Sequence, residues 1–267
     1  MAEQPRASED TTDCALIAQL EGLGRRAWPS LEIEALDGWI LGTSGAYTRR
    51  ANAVWPVLDG EQPLSERVER SEAFYAARNR RAVFKLQPAA RPSTLDEFLD
   101  ERGYRRTSET IVKTLELDFF AERASKRSAS VAVREPFEAD WFEASVSLGK
   151  VDEDRRDDYR AIIDHLEATG IKRLFGRAER DSRIASLALG CLVDGVVSLV
   201  EVATAEQDRG QRLAEHVLRA IIQKARAKGA ARALLSVEAD NSSARRLYER
   251  LGFVERYRYW YREAPDG

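Results

Sequence analysis

One segment of the chain, from Gly195 to Ala230, restricts the possible folds more than any other. It contains an apolar strand pattern at 196–204, a polar turn, and a long helix pattern over Arg212–Lys228. The helix carries one apolar stripe, formed by Leu213, Val217, Leu218, Ile221 and Ala225. A buried strand that leads through a turn into an amphipathic helix is typical of a layered α/β protein.

The turn before this helix is predicted to bind an anion. A glycine-containing turn that opens into a helix presents unpaired backbone N–H groups and the positive end of the helix dipole. Gly210 lies in the turn, Ala214 is small enough for a diphosphate to approach closely, and Arg209 and Arg212 add positive charge. Ordinary helix capping explains the same pattern, so a second motif is needed to decide.

The other segments alternate between strand and helix patterns. Asp37-Gly38 lies between two apolar runs and predicts a β-hairpin, after a first helix that stops at Pro29. Further predicted elements are strands at 51–58, 82–87 and 105–117, helices at 64–80 and 93–102, then a strand from Ser130, helices at 137–148 and 154–168, strands at 173–179 and 183–192, and a final strand, helix and strand after residue 230. The fold class is therefore mixed α/β (α+β), a central mixed twisted sheet flanked by helices.

The length of 267 residues favours two domains. A charged, Ser/Ala-rich stretch, "DFFAERASKRSAS", interrupts the apolar patterns, and we place the boundary near Ser128. The predicted domains are residues 1–125 and residues 128–267.

Composition excludes several function classes. The 42 Lys and Arg and the 45 Asp and Glu residues are interspersed, which argues against nucleic-acid binding. No run approaches the ~18 apolar residues that a membrane span requires, and the N-terminus lacks a signal sequence. The two cysteines, Cys14 and Cys191, form no disulfide or metal pattern, so we expect a cytoplasmic protein. His165 and His216 lack metal-ligand spacing, so no metal is expected.

The second motif is "LLSVEADNSSARRLYERLGF". Asn241 is a good N-cap for a helix over Ser242–Leu251, and Gly252 a good C-terminal stop. Tyr248 lies on the apolar face of that helix, and by itself it is better explained as a half-buried core phenol than as a catalytic residue.

Together the two motifs resemble the GNAT (Gcn5-related N-acetyltransferase) superfamily, over roughly Val131 to Arg262. The family's pyrophosphate loop, Arg/Gln-x-x-Gly-x-Gly/Ala, corresponds to "RGQRLA" at Arg209–Ala214, with Arg212 in place of the usual glycine. The pattern Asn-x-x-Ala-x-x-Leu-Tyr-x-x-x-Gly-Phe is matched in full by Asn241, Ala244, Leu247, Tyr248, Gly252 and Phe253.

The resemblance implies acetyl-CoA as co-substrate and an N-acyltransferase that acts by direct attack of an amine. Tyr248 holds the family's general-acid position, and Glu201 is the candidate base, with a solvent-facing or Arg-paired strand residue as the alternative. The implied cofactor residues are Val202, Ala203, Thr204, Arg209, Gly210, Gln211, Arg212, Leu213, Ala214, Asn241 and Ala244. The acceptor is an unidentified small-molecule or peptide amine, and the chain is expected to be a monomer or homodimer. A catalytically silent module that binds or senses CoA is the alternative.

The N-terminal half resembles a degenerate copy of the same unit. "LDEFLDERGYRRTSETIVKTLEL" echoes "RRLYERLGFVERYRYWYRE", and the elements before it follow the same order. Its counterpart of the phosphate loop is acidic and contains Pro63, and its counterpart of Tyr248 falls at Asp96 or Phe98, so this half is not expected to catalyse. The cluster "GAYTRRANAVWP" either lines an acceptor pocket through Tyr47, Arg49, Arg50 and Trp55 or packs at an edge or interface.

Overall fold

The strands of the chain form one mixed sheet flanked by helices, in a computed structural model that describes residues 7–120, 130–148 and 151–265. The strands are β1 (Glu32–Leu36), β2 (Trp39–Thr43), β3 (Val54–Pro56), β4 (Val83–Leu86), β5 (Arg105–Glu116), β6 (Ser130–Arg134), β7 (Lys172–Arg180), β8 (Arg183–Val193), β9 (Val196–Thr204), β10 (Arg232–Glu238) and β11 (Val254–Glu263). The helices are α1 (Ala7–Ala27), α2 (Leu64–Ala76), α3 (Leu95–Glu101), α4 (Ala139–Ser147), α5 (Arg156–Ala168), α6 (Leu213–Ala227) and α7 (Ser242–Leu251). The mixed α/β class predicted from the sequence is confirmed.

The two halves of the chain exchange strands at the centre of the sheet. The strand order is β1-β2-β3-β4-β11-β5-β10-β9-β8-β7-β6. The last strand, β11, therefore lies between β4 and β5 of the N-terminal half, while β5 lies between β11 and β10. β5 pairs antiparallel with β10 from Thr110 to Glu116, and with β11 from Arg105 to Thr114. Separating the halves would expose long unpaired edges on both central strands.

The domain boundary expected near Ser128 lies outside the described residues. Each half contributes an uninterrupted run of strands on its own side of the centre, β1 to β4 at one edge and β6 to β10 at the other. The division into residues 1–125 and 128–267 stays a prediction, and the exchange of β5 and β11 adds that the two units share one sheet.

Helices cover both faces of the C-terminal half of the sheet. Along β8, Leu187, Leu189 and Cys191 belong to a core shared with α1, α4 and α5, whereas Ala188 belongs to a core shared with α6 and α7. This alternation follows from the period of two along a strand. The apolar stripe predicted for α6 is buried against the sheet, as its spacing requires.

The structure shortens one predicted element of the N-terminal half. The strand expected at 51–58 comprises only Val54–Pro56, and a single 3₁₀ turn precedes it. The carboxamide nitrogen of Asn52 donates to the carbonyl oxygens of Tyr47 and Thr48, 2.9 and 2.8 Å away. These bonds hold the preceding residues in a loop rather than in the sheet, and this loop reaches the site described next.

Candidate active site

A cleft opens where the parallel strands β9 and β10 separate. Their pairing ends at Leu199 and Leu235. Beyond that point β9 pairs only with β8, and β10 only with β5, so the β9 backbone from Val202 to Thr204 has one free edge. The cleft encloses about 1120 Å³, and every predicted catalytic or cofactor residue except Gln211 lines it. The side chain of Gln211 instead accepts a hydrogen bond from Arg180.

A β-bulge in β9 directs Glu201 into this cleft. Ala203 pairs with Leu187 and Val200 with Leu189, so two residues of β9, Glu201 and its neighbour, face one residue of β8. Glu201 has a φ of 54°, a left-handed conformation that costs a non-glycine residue about 1–2 kcal/mol. Strain of this kind is concentrated at functional sites. The hydroxyl of Tyr47 donates a 2.8 Å hydrogen bond to Oε2 of Glu201.

The turn before α6 presents a set of free backbone donors to the cleft. Gly210 has a φ of 79° and Arg212 a φ of 60°, so both adopt the left-handed conformation. The first bond of the helix runs from the N–H of His216 to the carbonyl of Arg212, 3.1 Å away. Among the described residues, the N–H groups of Gly210 to Glu215 donate to no backbone carbonyl. Such a turn at a helix N-terminus favours an anion.

The two arginine side chains of this turn are exposed, whereas the glutamate in the first turn of the helix that follows is buried. Arg209 is exposed, and Arg212 is 62% exposed with its Nε 3.6 Å from the carboxylate of Glu215. Glu215 is buried, and it also lies 3.3 Å from Arg219 and 3.5 Å from Arg250. Because the buried carboxylates of Asp208 and Glu215 are each matched by two or more guanidinium groups, the mouth of the turn remains positive.

Tyr248 lies inside the same cleft on α7. The residue is only 6% exposed, and its ring packs edge-on against Phe253, 6.0 Å between centroids. Within the described chain its hydroxyl has no hydrogen-bond partner. Burial raises the pKa of Tyr248 to about 12. The predicted N-cap is confirmed, because Oδ1 of Asn241 accepts the N–H of Ala244 at 3.0 Å.

The N-terminal half contributes one wall of the cleft. Tyr47, Thr48, Arg49 and Arg50 all line it, opposite α7 and the turn before α6. Trp55 from the same sequence cluster does not reach the cleft, since its indole is buried beneath Nζ of Lys85, 4.2 Å from the ring centroid. The cluster therefore divides between a pocket role and a packing role.

Two tyrosines of β11 belong to the cleft although they were not predicted from the sequence. Tyr259 and Tyr261 line the cleft, and they are followed along the sheet by Thr110 of β5. The signal was the alternation in "VERYRYWYR", where every second residue from Tyr257 is aromatic and so faces one side of the strand. This strand was not predicted to line the cleft, because its position between β4 and β5 is not evident from the sequence.

Neither a metal site nor a membrane-spanning helix is present among the described residues. No group of three or more His, Cys, Asp or Glu side chains is arranged to hold a metal ion. No described helix is long and apolar enough to span a membrane.

Comparison with known proteins agrees with this geometry. Bacillus subtilis (strain 168) has a similar protein called "Uncharacterized N-acetyltransferase YobR", 25% identical over 248 residues, which are 92% of this chain and 98% of that protein. The fold is similar to that of a GCN5-related N-acetyltransferase from Kribbella flavida, with a TM-score of 0.69, 22% identity, and 95% and 96% of the two chains covered. It is also similar to a tandem GNAT protein from the clavulanic acid biosynthesis pathway, with a TM-score of 0.61, 14% identity and 97% of each chain covered.

A family model decides the assignment. The model described as "Probable histone acetyltransferase Rv0428c C-terminal" matches residues 14–262, which include both halves of the sheet and every residue of the cleft. The chain thus belongs to this family of the GNAT superfamily, and it is an acyltransferase.

Proposed function

We propose that the chain transfers an acetyl group from acetyl-CoA to the amine of a small molecule or peptide. The observation that carries the proposal is the turn before α6, where six consecutive residues, Gly210 to Glu215, have backbone N–H groups that bond to no described carbonyl. This turn opens into the same cleft as Tyr248 and Glu201. An anion site, a proton donor and a carboxylate in one cleft fit a substrate with a diphosphate and a thioester.

The donors fit the chemistry of coenzyme A in two places. The N–H groups from Gly210 to Ala214, with Arg209 beside them, suit a pyrophosphate. The free edge of β9 at Val202 to Thr204 suits the amide groups of a pantetheine arm, which pair with a strand edge as a peptide does. Bound acetyl-CoA would supply an activated carbonyl carbon, and the chain would bring the amine to it.

The proton transfers can then be assigned to two side chains. Glu201, held by the Tyr47 hydroxyl, accepts a proton from the ammonium group of the acceptor, directly or through water. The freed amine nitrogen forms a bond to the carbonyl carbon, the carbon–sulfur bond breaks, and the nitrogen releases its second proton to solvent, which leaves a neutral amide. Tyr248 donates its hydroxyl proton toward the leaving sulfur and regains a proton from solvent.

The pKa of Tyr248 limits how this donation works. A pKa of about 12 keeps the phenol protonated at neutral pH, so the proton is available. A free thiol has a pKa of about 8.5, roughly 3–4 units below that of the phenol. The free energy of complete proton transfer from the phenol to a thiolate is therefore unfavourable by about 5 kcal/mol. The phenol therefore acts first as a hydrogen-bond donor to the negative charge that develops on sulfur. Protonation of the sulfur is completed as the thiol product leaves the site.

A silent CoA-binding module gains no support from the one departure in the motif. Arg212 adopts the left-handed conformation that a glycine would adopt in its place, so the loop keeps its shape. The two free cysteines, which form no disulfide, favour a reducing, cytoplasmic setting. For the oligomeric state we propose a monomer or a homodimer, and sedimentation of the purified chain would distinguish them.

The test combines calorimetry with detection of free thiol on the intact chain. We expect one equivalent of acetyl-CoA per chain, and release of CoA only when a suitable amine is added. Absence of binding would contradict the proposal, and binding without thiol release over a broad amine panel would favour the silent module. Two equivalents per chain would show that the N-terminal half also holds the substrate.

A further inference from the structure

The cleft contains two side chains of opposite charge, Glu201 and Arg50, with which no described residue forms an ion pair. Glu201 accepts the Tyr47 hydroxyl but forms no ion pair with any described residue. Arg50 is half-buried, and its only contact of this kind within the described chain is with the ring of Trp28, 5.7 Å from guanidinium carbon to centroid. Both line the cleft.

Most other charges of the cleft have partners within the protein. Asp152 lies 3.6 Å from Arg155, and Asp208 accepts a 2.6 Å bond from Arg183. Arg49, which precedes the unpaired arginine, lies 3.2 Å from Glu263 and donates to the hydroxyl of Ser108. Arg25, Arg91 and Arg245 are also partly buried with no described carboxylate within ion-pair distance, but none of these three lines the cleft, whereas Arg50 does.

Both charges lie within electrostatic range of the Tyr47 hydroxyl, and Glu201 accepts its hydrogen bond. Burial and then Glu201 raise the pKa of Tyr47, and the positive charge of Arg50 opposes that rise. The same two residues act in opposite directions on the pKa of Cys191, whose thiol burial raises to about 12. Glu201 and Arg50 therefore both lie close to Tyr47, yet they do not neutralise each other by forming an ion pair.

Resting on the proposed function, we propose that the acceptor is a primary amine that also carries a carboxylate, as a free amino acid does. Its ammonium group lies against Glu201 and its carboxylate against Arg50, so the substrate supplies the counter-charge that each side chain lacks. A carboxylate matches this site better than a phosphate because, of the described cations that line the cleft, only Arg50 has no ion pair. A polyamine or a lysine side chain within a protein offers no anion to Arg50.

The aromatic surroundings strengthen this selection. The face of Trp28 lies beside Arg50, and Tyr261 lies near enough for the charge of Arg50 to lower its pKa against the effect of burial. A charged hydrogen bond in a pocket partly screened from water is stronger than the same bond at the surface. The N-terminal half thus selects the acceptor, while the C-terminal half holds the acyl donor.

Two readouts test the proposal. In the turnover assay, free amino acids are compared with their own amides and decarboxylated amines. We expect kcat/KM for the best acid to exceed that of its amide by roughly 10- to 100-fold, as for loss of a charged hydrogen bond. In a second assay that needs no turnover, the same compounds are titrated calorimetrically into the chain with and without CoA, and the acid is expected to bind best.

Three variants locate the effect. Arg50→Met is expected to lower kcat/KM for the acid by the same roughly 10- to 100-fold, mainly through KM, and to leave the amide and acetyl-CoA unaffected. Arg50→Lys keeps a positive charge and is expected to fall between the two. Arg102→Gln, which removes a partly exposed arginine paired with Glu69 far from the cleft, serves as the control and is expected to change neither.

The outcomes separate this proposal from the one it rests on. The carboxylate proposal would be overturned, with acetyl transfer left in place, by either of two results. One is a kcat/KM for the amide or a simple amine as high as that for the acid. The other is an Arg50→Met variant whose kcat/KM falls equally for the acid and the amide. If no amine releases CoA, the calorimetric assay still decides. Amino-acid binding that Arg50→Met weakens would support the carboxylate site, and binding that it leaves unchanged would refute it.

Discussion

Two junctions between a strand and a helix have the same topology in this chain and opposite chemistry. In the C-terminal half, β9 leads through the turn at Gly210 into α6, and the N–H groups of that turn bond to no described carbonyl. In the N-terminal half, β3 leads through Gly60 into α2, and two N–H groups of that turn are occupied. The difference shows how a duplicated unit loses an anion site without losing its fold.

Asp37 occupies the N-terminal junction. Its carboxylate accepts the N–H of Gln62 at 2.8 Å and that of Glu61 at 3.1 Å, and Nε of Arg67 lies 3.7 Å away. These backbone bonds, that from Gln62 first, lower the pKa of Asp37. A Cβ at Gly60 would lie 2.2 Å from Oδ2 of Asp37, so the carboxylate fills the space beside the turn. The protein's own side chain stands where a ligand's anion would bind.

The largest effect is expected at the acid position, which also differs between the halves. Asp96, a predicted counterpart of Tyr248, accepts hydrogen bonds from Nε1 of Trp260 at 3.0 Å and Nε of Arg262 at 2.7 Å, whereas no described residue bonds to the Tyr248 hydroxyl. We expect Tyr248→Phe to lower kcat by roughly 10²–10⁴-fold and to leave acetyl-CoA affinity nearly unchanged. Stopped-flow thiol release, which isolates the chemical step, is the measurement.

The control is another buried phenol, Tyr75→Phe, whose hydroxyl donates to the carbonyl of Gly42 outside the cleft. It is expected to cost stability but not turnover. Because the pKa of Tyr248 is about 12, its ionisation should cause no loss of kcat below about pH 10. An alkaline loss between pH 8 and 10 that Tyr248→Phe abolishes would contradict this environment, and an unchanged kcat would reject the acid role.

The second largest effect is expected at the junction between β9 and α6, here called the open junction. Gly210→Asp places a carboxylate beside the free N–H groups, as Asp37 does in the other half, and is expected to weaken acetyl-CoA binding by about 100-fold or more. Gly103→Asp is the matched control, because Gly103 has the same φ of 79° and, like Gly210, no atom within 4 Å of its would-be Cβ.

Both substitutions impose the same left-handed strain on an aspartate, so they should lower the melting temperature similarly. Only the variant at the cleft should lose affinity in calorimetry. Equal affinity in Gly210→Asp and the parent would place the acyl donor elsewhere.

Much of this comparison was predictable from sequence, but its cause was not. The apolar period of α6 and the caps of α7 are local signals, and both elements were predicted within a residue or two. The motif residues then came together in one cleft because they lie on neighbouring elements. The absence of a phosphate loop in the N-terminal half was inferred from its acidic residues and Pro63.

Three features depend on partners that are distant in sequence or on rare backbone conformations. Asp37 was interpreted only as a hairpin turn residue, although it also caps a turn more than twenty residues later. The bulge at Glu201 requires a positive φ, for which a glutamate gives no sequence signal. The exchange of β5 and β11 is a choice between equally apolar neighbours, which periodicity does not distinguish.

A third, smaller effect is expected from removing the Asp37 carboxylate from the junction between β3 and α2. Asp37→Ala frees the N–H groups of Glu61 and Gln62 and is expected to lower the melting temperature at pH 7 by a few degrees. The folded pKa of Asp37 is depressed, so its contribution is present above the unfolded pKa of about 3.9 and is lost as pH falls through the folded value. The gap between variant and parent should therefore close only in strongly acidic buffer.

The control is Asp59→Ala, an exposed carboxylate near the same turn, with little expected change. Acetyl-CoA stoichiometry should stay at one in Asp37→Ala, because Asp59 and Glu61 still repel a diphosphate and Pro63 still lacks an N–H. A second equivalent would show that Asp37 alone closes the N-terminal site.

The smallest effect is expected at Arg212, where the open junction departs from its motif. Its φ of 60° costs an arginine about 1–2 kcal/mol, and glycine relieves that strain but adds about 0.4–1 kcal/mol of chain entropy in the unfolded state. Arg212→Gly should thus be neutral or stabilise the fold by about 1 kcal/mol, and its acetyl-CoA affinity should stay within about threefold, because the exposed side chain contributes little through its pairing with Glu215. Arg212→Ala separates the causes, since it removes the charge and keeps the strain. If both variants lose affinity to the same extent, the guanidinium contacts the phosphates, and the arginine compensates by charge for the glycine that it replaces.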